Sequence, residues 1–127
     1  MGAAQRVFPV LRILDEAEAK GFYVQGLGFK VDWEWRHEPG FPLFMQVSRD
    51  GLSIFLSEYS GDCQTGGLVY LEVDDVDAWF VETQERGVEP ERPPMTQPWG
   101  QREMTFGDPF GNRITIGTKV EEGEASS

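Results

Sequence analysis

Two short apolar segments of similar character, Val7–Leu14 and Leu68–Val73, stand about sixty residues apart in this chain. Both are rich in branched or aromatic side chains and read as buried strands. Each then meets acidic residues suited to capping a helix. Asp15 is placed as an N-cap with Glu18 three residues on, and Ala19, Phe22 and Tyr23 share a helical face. In the second stretch Asp74 or Asp75 caps, Val76, Trp79, Phe80 and Thr83 recur at helical spacing, and Gly87 ends the element. After the first helix Gly26 and Gly28 break the chain, and a clean alternation follows. Phe29, Val31, Trp33 and Trp35 fall on one face and Lys30, Asp32, Glu34 and Arg36 on the other, which predicts a half-buried strand. Pro39-Gly40 turns the chain into a second strand, about Leu43–Ser48, and Asp50-Gly51 is a hairpin signal leading to a third, about Leu52–Glu58. The later stretch is less regular. It predicts a short strand at Val88–Glu91, a stiff loop with Pro93, Pro94 and Pro98, and a strand at Arg102–Phe106. A turn at Asp108–Asn112 and a last strand at Arg113–Thr118 complete it.

The two stretches match residue by residue. At a spacing of 60, Asp15 corresponds to Asp75, Gly51 to Gly111 and Ile54 to Ile114. Apolar positions follow: Val10 with Tyr70, Leu11 with Leu71, Ile13 with Val73, Leu56 with Ile116. Each stretch therefore reads βαβββ, and the fold class is α+β. The expected organisation is one domain over residues 1–119 with modules at about 7–59 and 68–118, joined by the polar Ser60–Gly67. Residues 120–127 form an acidic tail expected to be disordered. A module this small has one curved mixed sheet with a helix on one face. Its other face must be covered by the second module or by another chain, and facing sheets create a cleft where a ligand can bind.

Composition narrows the function classes. Within 127 residues, 39% are hydrophobic, too many and too periodic for a disordered chain. No apolar run approaches the roughly 20 residues of a bilayer span, and Val7–Leu14 lacks the flanks of a signal peptide. Eleven Lys and Arg against 22 Asp and Glu give a net charge of −11, which argues against nucleic acid and for attraction of cationic ligands. A single cysteine, Cys63, excludes an internal disulfide and fits a reducing cytoplasm.

Candidates for chemistry are few. His37, the one histidine, ends a charged strand with no nucleophile motif and reads as a surface residue. Cys63 has no basic neighbour in sequence to activate it and reads as inert. Gly26-Leu27-Gly28 is too short to cradle a dinucleotide, and no acidic run has calcium-loop spacing. The aromatics remain: 4 Trp, 3 Tyr and 9 Phe. Trp79 and Phe80 belong to a helix face. Trp33 and Trp35 are either core or ligand-facing. Trp99, fixed in Gln97-Pro98-Trp99-Gly100, is either a turn-pinned plug or a rigid plate offered to a ligand, with Glu103 near it in sequence.

Taken together, the paired βαβββ modules, Pro9-Val10-Leu11, Leu27-Gly28-Phe29, Gln97-Pro98-Trp99-Gly100 followed by Arg102-Glu103, and Asp108-Pro109-Phe110-Gly111-Asn112 resemble a known group. It is the bleomycin resistance family of the vicinal oxygen chelate superfamily, which includes glyoxalase I and extradiol dioxygenases. The resemblance spans about residues 7–118. In the superfamily's metalloenzymes, metal ligands come from positions that the repeat places at Phe8, Phe55, Leu68 and Thr115. Phe and Leu offer no donor, and a lone threonine is a poor one. The resemblance therefore implies no metal, no cofactor and no catalysis. It implies instead sequestration of a cationic glycopeptide antibiotic in two grooves at a homodimer interface.

Residue by residue, the family's acidic–aromatic pair matches Asp32-Trp33, and its loop aromatic matches Trp35 or Phe41. Ser57, Glu58 and Tyr59 end a strand at a groove position, Tyr70 stands near the fifth-strand aromatic, and Trp99 is the later loop aromatic. Pro9 matches a proline that bends the first strand so that it swaps into the partner, or is a simple edge-strand proline. Glu72 stands where some drug binders carry an aromatic, and Arg36-His37-Glu38-Pro39 makes the loop longer and more charged. The alternatives are an atypical or metal-independent enzyme of the superfamily, or a binder of an unrelated metabolite.

Overall fold

The structure, a computed structural model, describes residues 5–120, so the acidic tail beyond Val120 lies outside the described residues. The elements are β1 (Val10–Arg12), α1 (Glu16–Lys20), β2 (Lys30–Trp35), β3 (Phe44–Arg49), β4 (Leu52–Ser57), β5 (Leu68–Glu72), α2 (Val76–Glu85), β6 (Arg92–Thr96), β7 (Gln101–Gly107) and β8 (Arg113–Lys119). They form two four-stranded sheets, ordered β1-β4-β3-β2 and β5-β8-β7-β6. In each sheet the first strand runs parallel to the last and the remaining pairs are antiparallel. The α+β fold of paired βαβββ modules is thus present. Its repeat extends to register, with Val10 opposite Phe55 and Tyr70 opposite Thr115.

Equivalent residues do equivalent work. The Asp15 carboxylate accepts the Glu18 N–H at 2.9 Å, and the Asp75 carboxylate accepts the Ala78 N–H at 3.1 Å, so each helix begins on a side-chain cap. Asp50 and Gly51 have φ of 51° and 85°, the paired positive values of a hairpin turn whose twist suits its flanking strands. One departure was not signalled by the pattern: α1 widens into a π segment at Gly21–Gly26, with the Leu27 N–H donating to the Phe22 carbonyl at 2.8 Å.

One hydrophobic core serves both modules. Leu11, Met45, Val47, Ile54 and Leu56 enter it from the first sheet, and Leu71, Met104, Phe106, Ile114 and Ile116 from the second. Ala19, Tyr23, Val76 and Trp79 bring the helices to it. Two polar ties cross between the modules. The Tyr23 hydroxyl donates to Asp108 at 2.6 Å, and Asp108 in turn accepts the backbone N–H groups of Phe110 and Asn112. The Asn112 amide donates to the Arg12 carbonyl and to Asp108, and accepts the N–H groups of Gly66 and Gly67. The Asp-Pro-Phe-Gly-Asn turn is therefore a knot that binds β1, the linker and the β7–β8 turn. The second tie is Arg49, whose guanidinium lies 3.7 Å over the Trp79 ring and donates to the Leu27 carbonyl and to Glu82.

Two expectations need correction. The alternation placed Phe29, Val31, Trp33 and Trp35 on one face, but the β2–β3 register shifts between Val31 and Trp33. Asp32 is the extra residue of a β-bulge, and one extra residue exchanges the faces beyond it. Phe29 stays in the core against Trp79, whereas Trp33 and Trp35 turn to the opposite, open face. The second correction concerns β6. It covers Arg92–Thr96, including Pro93 and Pro94, where a loop was expected, and the expected strand at Val88–Glu91 is not formed. Pairing with β7 starts at the Glu91 N–H, and the register breaks between Arg92 and Met95. Prolines are tolerated there because β6 is an edge strand with no neighbour on its outer side.

Candidate functional site

With the core lying between the two sheets, each sheet leaves its other face open, and the aromatics gather on those faces. On the first sheet Trp33, Phe44 and Phe55 pack with ring centres 5.2–5.7 Å apart, and Phe8 stacks on Phe55 at 4.6 Å, nearly parallel. Asp32 stands beside Trp33, where it accepts hydrogen bonds from Gln46 (2.8 Å) and Ser48 (2.9 Å). The Gln46 bond first, then that of Ser48, holds its carboxyl below the usual range, which keeps a negative charge at the edge of the aromatic patch.

Next to this patch is an open apolar groove of about 850 Å³, within the size range of small-molecule sites. Trp35, His37, Phe41, Phe44, Phe55 and Tyr59 contribute to its walls. Its outer wall is the loop after β2, which is held at both ends. Arg36 donates to the Phe41 carbonyl at 2.9 Å and to Glu16, and Glu58 accepts the Leu43 N–H at 2.7 Å. Glu58 therefore shapes the groove from behind. Ser57 is fully buried, donates to Asp62 at 2.7 Å and accepts the Tyr59 N–H, so it sets the exit of β4. Tyr59 and Phe41 remain exposed on the groove side.

The open face of the second sheet carries Tyr70, Trp99 and Glu103. Trp99 is 66% exposed, and its indole N–H donates to Glu103 at 3.0 Å, so the carboxylate orients the ring in the open. Tyr70 donates to the Gln101 side chain at 3.1 Å. Its ring crosses Gly117, where an added side chain would have to displace the exposed phenol. Burial first, then the neighbouring Glu103 and Glu72, pushes the Tyr70 hydroxyl up to about 12.

The candidate residues thus fall into two groups. Asp32, Trp33, Trp35, Phe41, Glu58 and Tyr59 belong to the first face, and Tyr70, Trp99 and Glu103 to the second. Among the described residues no hydrogen bond or aromatic pair joins the groups, and the second contributes nothing to the groove. In this single chain β1 lies on its own β4, with the Phe55 N–H donating to the Pro9 carbonyl at 2.9 Å.

The four residues that the resemblance sets at metal-ligand positions do not suit an ion. Phe8 and Phe55 are stacked on one another, Leu68 is an exposed hydrocarbon, and the Thr115 hydroxyl is tied to Thr105 at 3.1 Å. No group of three or more His, Cys, Asp or Glu among the described residues has the arrangement to hold a metal. Cys63 is half-buried, and burial first, then Asp62, raises its thiol, which disfavours the nucleophilic thiolate. No described helix is long and apolar enough to cross a membrane.

His37 was read from sequence as a surface residue. It is exposed, yet its ring lies between Trp35 and Phe41 in the groove wall. Continuing the period of two from Trp33 through Trp35 would have pointed to it. Phe44 was likewise missed, although alternation along β3 places it opposite the buried Met45.

Known proteins share this arrangement. The family model described as "Glyoxalase superfamily protein" matches residues 2–123. No curated protein matches. Among solved structures, TnmS3, an antibiotic binding protein from Streptomyces sp. CB03234, is 30% identical with a TM-score of 0.72, over 94% of this chain and 100% of its own. A glyoxalase/bleomycin resistance protein from the same organism is 33% identical with a TM-score of 0.67, over 87% of this chain and 98% of its own. A bleomycin-binding protein complexed with bleomycin shares the fold at 20% identity and a TM-score of 0.73, over 91% and 99%. With its module repeat, register and nearly full-length family match, the chain belongs to the glyoxalase superfamily.

Proposed function

We propose that this protein captures a cationic antibiotic of the bleomycin type and holds it without chemical change. It works as a homodimer whose grooves pair the first open face of one chain with the second open face of its partner. The observation that carries the reading is the division of exposed aromatics between two separate sheet faces: Trp33 and Trp35 on one, Trp99 on the other. Neither face is a complete enclosure, and each offers flat rings beside a carboxylate, Asp32 or Glu103. Rings hold a flat cation by stacking and cation–π attraction, and the net charge of −11 draws it in from a distance. The antibiotic binding named for TnmS3, and the bleomycin bound by the structural neighbour, point to the same ligand class. Pro9, directly before β1, is the residue at which that strand would exchange between partners.

Bleomycin titration followed by tryptophan fluorescence tests this. We expect quenching that weakens with added salt. Trp33→Ala or Trp99→Ala alone should weaken binding by about 2- to 30-fold, as losing one ring contact of about 0.5–2 kcal/mol implies. The double variant should lose the signal. Drug recovered after incubation should be unaltered. Absence of any fluorescence change at high drug concentration removes the drug-binding claim, and a converted drug restores catalysis.

A further inference from the structure

We infer that His37 is a ligand-facing residue of the groove and that its protonation biases the charge the groove favours on a flat aromatic ligand: toward a cation when the imidazole is neutral, toward an anion when it is protonated. This rests on the reading of the groove as a small-molecule site. The imidazole lies 6.2 Å from the Trp35 ring and 5.4 Å from the Phe41 ring, the two tilted at 57° and 56°, so three flat groups stand together on one wall. Trp35 ends β2, and the loop that carries His37 and Phe41 is pinned by Arg36 and Glu58, so the trio is present before any ligand arrives.

Of the surrounding charges, Arg36, Glu58 and Asp62 already hold partners, and Glu38 flanks the ring without one among the described residues. On the same loop, Arg36 points to Glu16 and the Phe41 carbonyl, and Glu38 is an exposed flanking acid. From the end of β4 and the loop after it, Glu58 holds the Leu43 N–H, Tyr59 stands in the wall, and Asp62 accepts the Ser57 hydroxyl. Among the described residues the His37 ring has no hydrogen-bond partner and no carboxylate within 4.0 Å. It is also the chain's one histidine, and an imidazole is a side chain that gains a proton, and with it a positive charge, as a solution is acidified. A proton there puts a positive charge between two rings on a wall that is apolar apart from Tyr59 and Asp62. Repulsion of about 1 kcal/mol at contact distance in water corresponds to about a fivefold loss of a cation, with the opposite effect on an anion.

The test uses the full chain and two fluorescent probes whose charge does not change with pH, ethidium (positive) and anilinonaphthalene sulfonate (negative). Affinities are compared at about pH 8 and about pH 5.5, on either side of the histidine range. Acidification should weaken ethidium about fivefold and strengthen the sulfonate, and His37→Gln should abolish both trends whatever it does to the affinities at pH 8. Equal affinities at the two pH values, trends that persist in His37→Gln, or no binding of either dye overturn the inference. Bleomycin binding at pH 8, where the imidazole is neutral, is measured separately. Binding there without a dye trend would keep the drug-capture reading and discard His37, and a dye trend without bleomycin binding would do the reverse.

Discussion

Asn112 uses all the hydrogen-bonding capacity of its amide in the interior, where it is fully buried. Asn112→Ala leaves the Gly66 and Gly67 N–H groups and the Arg12 carbonyl without their partner. A loss of about 2–5 kcal/mol is expected, read as a lower urea midpoint at unchanged slope. Tyr70 makes a prediction about pH. Its folded value of about 12 lies above the ordinary 10.0, so the folded chain holds this proton more tightly than the unfolded one. That contribution is intact below 10.0 and is lost as pH rises toward 12. The difference between the phenolate absorbance titrations of wild type and Tyr70→Phe should be one step near 12. A step at 10.0 would mean a phenol open to water. Such residues differ in how readable they are. The cap at Asp15 and its repeat at Asp75 follow from local chemistry, which sequence records. The roles of Asn112 and Tyr70 depend on partners 100 and 31 residues away, and no local pattern holds that information.

Between elements, the decisive event is the bulge in β2. The alternation from Phe29 to Trp35 predicts a strand, and one unpaired residue reverses the faces of its far half, so Trp33 and Trp35, open between core and ligand in the sequence, stand on the exposed face. A single chain's pattern carries no mark of such an insertion, because the bulge exists only relative to β3. For β6 the prolines predict a loop and are accommodated at a sheet edge, and edge position is likewise a property of the assembled sheet. Arg49 shows what holds the modules against each other. Arg49→Ala removes the cation over Trp79 and leaves Glu82 and the Leu27 carbonyl short of a donor, at a cost of about 2–3 kcal/mol in denaturant unfolding. Arg49→Lys should recover less than half of it, since an ammonium cannot stack flat and donate in two directions. Full recovery would reduce the tie to simple charge.

At the level of the molecule, the shared core turns the two aromatic faces away from one another. The 60-residue repeat made both modules legible, and with them both sheets, but it could not say which residues would share an enclosure. In a two-fold dimer of the proposed kind, every chain lends one half to each of two grooves. Damage is then distributed by pairing. A Trp33→Ala chain joined to a Trp99→Ala chain concentrates both lesions in one groove and leaves the other whole. Random re-association of the two crippled proteins should return about one fully competent groove in four, detectable as a minority class of tight bleomycin sites absent from either parent. Chains that each kept a private groove would give only the average of two weak binders. In such a dimer the orientation of two sheets becomes a rule of inheritance: defects there would complement one another.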